Sequence, residues 1–287
     1  MSPPARRSAV GKMLNATRIS ERRACALVGL SRDSWRCPPK RAARDQTSTA
    51  RIVELAHERR RFGYRRIGDL LRAEGTPMND KRVYRLYRLA DLAVRKRRSK
   101  KRLKLERVPL HQCKRINEVW SLDFVSDSLA NGRRFKCLPI TDDFTHESVD
   151  IAVDHGISGH YVTRVLEQAA RFRGYPRAVR TDQGPEFTSR AFLAWTTARG
   201  VRHILNQPGK PTQNAYIESF NGKFRDECLN EHWFEALAQA RAEIARWRQD
   251  YNEVRPHSSC GRIPPAKFAA LHRQRAADAG QPESSQE

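Results

Sequence analysis

At 287 residues the chain is long enough for a sizeable core and more than one domain. Its formal charge of +23 is segregated: residues 1–110 hold 31 lysines and arginines against 10 acids, an excess of 21, while the rest hold 24 against 22, a pattern that phosphate neutralisation explains better than a merely soluble surface. No apolar run approaches the ~18 residues of a membrane span, no signal peptide opens the chain, and the six cysteines form no C-x-x-C pair. A membrane, secreted or zinc-finger protein is therefore not expected; a soluble cytoplasmic, nucleoid-associated one with reduced thiols is.

Residues 1–17 are basic and rich in Pro and Ala and are expected to be mobile. Ser20 is placed to cap a short helix bearing Ala24, Leu27 and Val28, which Gly29 ends; Ser31 is placed to cap a second around Trp35. This pair reads equally as a helix-turn-helix or as an ordinary helical hairpin. Between 47 and 91 three helices are expected, the first marked by Ile52, Val53, Leu55 and Ala56, the second following Gly63 with Leu70 and Leu71, and the third running from Asp80 to Leu89 behind an Asn79 cap. Val83, Leu86 and Leu89 give the third an apolar stripe. Lys81, Arg82, Arg85 and Arg88 fall on its other sides, as suits a helix lying against DNA. From Arg95 to Arg102 seven of eight residues are basic, including Arg95, Lys96, Arg97 and Arg98. Such a block repels itself until it meets phosphate, so 92–112 reads as a DNA-touching linker.

The remainder changes character. Strands are expected at Glu118–Val125 and Arg134–Thr141 around an Asn131-Gly132 turn, then at 149–153, 178–181 and 202–205. Helices are expected at 159–173, 189–199, 214–229 and 234–251. This is a mixed sheet with helices on its faces, an α/β core behind an all-α region. Trp195, Trp233 and Trp247 read as core, Asp142 and Asp143 as a turn, and residues after Ala276 as a disordered tail.

Three acids lie in distinct phrases: Asp123 in Trp120-Ser121-Leu122-Asp123-Phe124, Asp182 in Thr181-Asp182-Gln183-Gly184-Pro185-Glu186-Phe187, and Glu218 in Gln213-Asn214-Ala215-Tyr216-Ile217-Glu218-Ser219-Phe220-Asn221-Gly222. Alternation puts Asp123 with Ser121 on one face of its strand, Asp182 ends a strand, and Glu218 lies on a helix. Singly, Asp182 reads as a turn residue and Glu218 as a surface charge. Together, a carboxylate from a strand, a strand end and a helix can converge on divalent ions for in-line phosphoryl displacement. Arg225, two helical turns after Glu218, shares its face and is suited to a neighbouring phosphate. Lys210 and Lys223 are further candidate phosphate contacts. Gln213 and Asn214 are placed to cap the helix or meet DNA.

These phrases, with Tyr251-Asn252-x-x-Arg255-Pro256-His257-Ser258, resemble the integrase-type transposases of bacterial insertion sequences, and more narrowly the second-reading-frame (OrfB) product of the "IS three" family. The resemblance spans roughly residues 18–272. It implies a ribonuclease-H-like catalytic core (113–275) preceded by a helix-turn-helix-like DNA-binding region (1–45 and 46–91). It further implies Asp123, Asp182 and Glu218 as a catalytic, metal-binding triad for two Mg²⁺ ions, with Mn²⁺ as the alternative ion, and Arg225 as the accompanying base. DNA with terminal inverted repeats and a target DNA are the implied partners, in a homo-oligomeric synapse. No heptad repeat opens this chain, so an OrfA-type upstream protein, or a frameshifted fusion, is a further partner to consider. Cys260 stands where the family usually has leucine. The rival readings are a metal-dependent nuclease without joining activity and a catalytically inactive DNA-binding repressor.

Overall fold

The computed structural model describes residues 3–37, 41–94, 112–206 and 214–278. Arg95–Arg98, Lys210, Gln213 and residues 279–287 lie outside the described residues. The chain divides into two units, one of Met1–Ile67 with Met78–Val94 and one of Gly68–Pro77 with Arg95–Glu287.

The first unit is helical. Residues 3–16 form helix α1 (Pro3–Ala16), against the expectation of a mobile start. Val10 is wholly buried with Ala24 and Cys25, and Met13 and Leu14 pack on them, which is enough apolar contact to hold a basic helix in place. Ser20 caps α2 (Glu21–Val28), accepting from the Arg23 N–H, and Gly29 ends it at φ +63°. Ser31 caps α3 (Arg32–Arg36) in the same way through Ser34. Leu27, expected inward, is exposed, and Cys25 takes its place.

Helix α4 (Arg41–Glu58) runs across the division expected at residue 45. After α5 (Tyr64–Ala73), Asn79 caps α6 (Asp80–Leu89) by accepting from Lys81 N. Val83, Leu86 and Tyr87 are the buried residues of α6, whereas Leu89 is 73% exposed. The Tyr87 hydroxyl donates to the Phe62 carbonyl at 3.2 Å, which lets a polar ring tip replace the leucine in the core.

The second unit is built on a six-stranded mixed sheet. Strands β1 (Val119–Leu122) and β2 (Val125–Ser128) lie along one edge of β3 (Arg134–Asp142) in a single antiparallel register. The expected unbroken strand from Glu118 to Val125 is interrupted at Asp123 and Phe124. That register, extended, sets Asp123 opposite Pro139, which has no N–H to contribute, and the Asp123 carboxylate takes the Phe124 N–H itself at 2.8 Å. Strand β4 (Ser148–Asp154) pairs with the other edge of β3. On the far side β5 (Ala178–Thr181) runs parallel to β1, and β6 (Arg202–Leu205) parallel to β5.

Helices cover both faces. Val162, Val165, Leu166 and Ala170 of α7 (Gly159–Arg173) and Phe192 of α8 (Arg190–Ala198) are buried against Trp120, Leu122, Leu138, Ile140 and Val179. On the opposite face, α9 (Ala215–Glu227) buries Ile217, Phe220 and Phe224, and α10 (Leu237–Glu253) buries Ala240, Ile244 and Tyr251, against Val125, Phe135, Cys137, Ile151 and Val153. Residues 121, 123 and 125 alternate with 120 and 122, so Asp123 belongs to the α9 side of the sheet.

Side chains of α10 cover the edge of β4. Arg241 and Arg248 donate to the Val153 and Val149 carbonyls, and Asn252 exchanges two hydrogen bonds with the Ser148 backbone. An edge so covered offers no free ladder to another chain. Two readings need correction. Trp233 precedes α10 instead of lying within a helix, and it is 77% exposed. Of the tail expected after Ala276, residues 277 and 278 are helical, because α11 (Pro265–Asp278) ends only at Asp278.

Asp143 is a turn residue, as expected, whereas Asp142 is the last residue of β3, and both are buried. Asp142 accepts from the N–H groups of Asn117, Phe144 and Thr145. Asp143 pairs with Arg180 at 2.5 Å; burial nonetheless pushes its carboxyl up to about 6. Cys260 is buried, its Sγ 3.6 Å from the Thr145 carbonyl, so the residue fills a small core position.

Candidate active site

Asp123 and Asp182 stand on neighbouring strands at one end of the sheet, and Glu218 lies on the helix packed over that face. Ser121 pairs with Arg180 across the parallel β1–β5 ladder. Carried two residues further, that register sets Asp123 and Asp182 on neighbouring strands, each just past its strand end, where ligands collect in α/β folds. Two aromatic rings hold these segments together: Phe124, next to Asp123, stacks on Phe187, five residues after Asp182, with centroids 5.2 Å apart. Lys136 of β3 lies over the Phe124 ring at 5.2 Å and bonds Glu186 at 2.8 Å, closing the turn after Asp182. Within that turn the Asp182 carboxylate accepts the Gly184 N–H at 3.0 Å, and a Cβ on Gly184 would stand 3.1 Å from it.

Glu218 comes from the first turn of α9 and is exposed. Because Ile217, Phe220 and Phe224 fix the helix on the sheet, residues 218, 221 and 225 share the stripe beside that buried face. Asn221 donates from Nδ2 to Asp123 Oδ2 at 2.9 Å, and Arg225 donates from Nη2 to the Ser126 carbonyl at 3.2 Å. The stripe therefore lies over the β1–β2 break, which brings Glu218 to the side where Asp123 stands.

Electrostatics registers the convergence. Burial pushes the Asp123 carboxyl from its ordinary 3.8 up to about 6. Asp182 and Glu218 push in the same direction, and the Phe124 and Asn221 hydrogen bonds oppose them. Asn221 also keeps a buried Oδ1 without a hydrogen-bond partner. Among the described residues no three Asp, Glu, His or Cys side chains stand at coordinating distance of one another. The donor set is all carboxylate oxygen, a hard set suited to Mg²⁺ or Mn²⁺.

A raised folded-state pKa has a definite sign. The folded chain holds the Asp123 proton more tightly than the unfolded chain, so this group's contribution is fully present below about pH 4 and lost as pH rises through about 6. Asp123→Asn should therefore stabilise the metal-free protein at pH 8 by about 1–2 kcal/mol, after discounting for partial exposure, and leave it unchanged at pH 4. Thermal melts in EDTA at the two pH values measure this; equal shifts at both would contradict it.

The other candidate residues are distributed differently. Lys223 is five residues from Glu218 and so turned well away from it around α9, into a cavity with His146 and Tyr216. Arg82 and Arg85 both bind Asp45 of α4, at 2.9 and 2.6 Å, and Lys81, Arg85 and Arg88 are exposed. Asn214 stands at the N-cap of α9 without making a side-chain cap bond. Arg255, by contrast, braces α9, binding Glu227 through Nε at 2.7 Å and Nη2 at 2.6 Å while almost wholly buried.

Sequence reasoning missed Asn221 and Lys136. Asn221 carried a signal, being one helical turn after Glu218 on the same stripe. Lys136 carried none, because its partner Glu186 is 50 residues away.

A helix-turn-helix-like domain model matches residues 43–101, and two integrase core domain models match residues 114–211 and 199–265. The insertion element IS476 uncharacterized 39.2 kDa protein of Xanthomonas euvesicatoria is 64% identical over 273 residues, 95% of this chain and 79% of that protein. The chain belongs to the integrase-core transposases of bacterial insertion sequences. Within them it is a second-reading-frame protein of the "IS three" family. The insertion element IS407 uncharacterized 31.7 kDa protein of Burkholderia multivorans is likewise 64% identical, over 93% of this chain and 95% of that protein. A chain of a simian T-cell lymphotropic virus intasome, solved in complex with the PP2A regulatory subunit B56 gamma, has a TM-score of 0.51 at 14% identity. The match covers 82% of this chain and 76% of that one, and is a likeness of fold. The transposase is a polynucleotidyl transferase acting on DNA, with a ribonuclease-H-like core. Among the described residues no helix is long and apolar enough to cross a membrane.

Proposed function

We propose that Asp123, Asp182 and Glu218 together hold two divalent ions, Mg²⁺ or Mn²⁺, at which the transposase cuts the ends of its element and joins them to a target. The observation that carries this reading is geometric: the β1–β5 register sets Asp123 beside Asp182, and the bond from Asn221 to Asp123 places the stripe of α9 that bears Glu218 over them. Bound divalent ions supply positive charge at the attacking and leaving oxygens of the displaced phosphate. The chain's own part is to position. Asn221 orients Asp123, the Phe124–Phe187 stack fixes the two aspartate segments, and Arg225 stands ready to exchange its Ser126 carbonyl for a phosphate on the Glu218 side. Titration of the DNA-bound protein with Mn²⁺, read by calorimetry, should give two sites per protomer, and fewer in Asp182→Asn. A single site in the wild type would refute the two-ion arrangement.

The division of labour follows the charge. Residues 1–45 and 46–91 are the DNA-binding region, 92–112 a basic linker, 113–275 the catalytic core and 276–287 a tail. Lys81 and Arg88 on α6, with Arg95, Lys96, Arg97, Arg98 and Lys210, are assigned to phosphate. A homo-oligomeric synapse on the terminal inverted repeats, with an OrfA-type protein as its assembly partner, completes the reading. Lys81→Ala and Arg88→Ala should each lower the slope of log K against log salt by about 1. Arg82→Ala should in addition destabilise the first unit, by releasing Asp45, whose carboxyl is held below its ordinary range chiefly by its bond to Arg85 and also by that to Arg82. Unchanged slopes in both α6 variants would remove this helix from the interface.

A further inference from the structure

On the side of α9 turned away from Glu218 lies a cavity of about 440 Å³, within the size range of small-molecule sites. The proposed chemistry makes no use of it. Thr141 lines its floor, and the Thr141 hydroxyl is buried without a hydrogen-bond partner. His146 and Tyr216 give it an aromatic wall, their ring centroids 5.6 Å apart. His257 lines it as well, with Nε2 3.1 Å from Arg255 Nη1. A guanidinium only donates, so Nε2 accepts, and the imidazole keeps its proton on Nδ1 as a donor. Lys223 brings a cation to the wall, and Ser219 stands exposed at the mouth.

This combination narrows the occupant. A metal ion lacks ligands here, because both oxygens of Asp142, the lining carboxylate, already accept backbone N–H groups. An apolar ligand would leave the Thr141 hydroxyl buried and unpaired, and a phosphate alone would not use the rings. A nucleotide uses all three features: base against the aromatic wall, base edge to hydroxyl and imidazole, phosphate to ammonium. The position fits as well. Thr141 pairs with Ser121, two residues before Asp123, which is about 7 Å along the strand, and Ser219 directly follows Glu218.

We infer that this cavity receives one unpaired nucleotide of the DNA strand, turned out of the stack beside the reacting phosphate. The inference rests on DNA being the substrate and not on the roles given to the three carboxylates. The test places 2-aminopurine at successive positions around the cleaved bond of end DNA and measures emission on binding the full chain in EDTA, with anisotropy reporting binding in the same sample. Emission at one position should rise about fivefold. Ser219→Trp, which fills the mouth from an exposed site, should abolish that rise and slow joining about tenfold, and an abasic nucleotide at that position should restore joining to the variant. Lys223→Met should reduce the rise without altering the melt. Binding with no brightened position, or brightening that Ser219→Trp leaves intact, would overturn the inference. Because emission is read without metal, that result would leave the carboxylate assignment standing.

Discussion

Glu218→Gln should lose cleavage and joining together by roughly a thousandfold or more, while end binding stays within about twofold. Glutamine keeps the length and helix propensity of glutamate but removes the charge. Glu218 is exposed on the first turn of α9, and such a substitution ordinarily changes stability by less than about 0.5 kcal/mol. Lost activity in a chain with an unchanged melt is therefore a loss of chemistry. Asp182→Asn should behave in the same way. Asp123→Asn should lose activity while gaining stability in EDTA at pH 8, a combination that a folding defect cannot produce. Labelled end DNA with Mg²⁺, resolved into cut and joined products, provides the measurement. Cleavage surviving within tenfold in any one variant would exclude that residue from the site.

Arg255→Ala should destabilise the second unit by about 3–5 kcal/mol, a large fraction of what holds a domain folded. Its guanidinium binds both oxygens of Glu227 while 2% exposed, so truncation strands a carboxylate at the C-terminal end of α9 and opens a cavity beside Tyr251, whose ring lies 5.5 Å from the guanidinium carbon. The double variant Arg255→Met with Glu227→Leu should recover most of the loss, because burying two apolar groups avoids the cost of burying two charges. Urea denaturation of the wild type and the two variants decides it. A loss below about 1 kcal/mol for Arg255→Ala would mean that α9 is held by its apolar face alone.

The order and type of the core elements were legible in the sequence because each is a local pattern. Serine and asparagine caps, glycine stops and apolar periodicity placed α2, α3, α6 and α7 close to their observed bounds. The three acids were legible because each is bracketed by residues whose packing makes the phrase recognisable: Phe124 and Phe187 are the rings that join their two segments, and Ile217 and Phe220 seat the helix of Glu218. The same locality explains the errors. The first 17 residues looked mobile because their few apolar groups acquire partners only from α2 and α3. Trp233 looked buried because composition cannot say that α10 begins at Leu237.

Four things were decided by the tertiary structure alone. They are the strand break opposite Pro139 that frees Asp123, the bond from Asn221 that holds it, the capture of Arg82 and Arg85 by Asp45, and the turning of Lys223 away from Glu218. Each depends on residues between 16 and 98 positions apart, or on which side of a helix the core happens to lie. Local pattern determines which element a residue joins, and with it the chemistry that element can offer. Long-range packing determines which face turns inward, and so which carboxylates meet and which cations remain available to DNA.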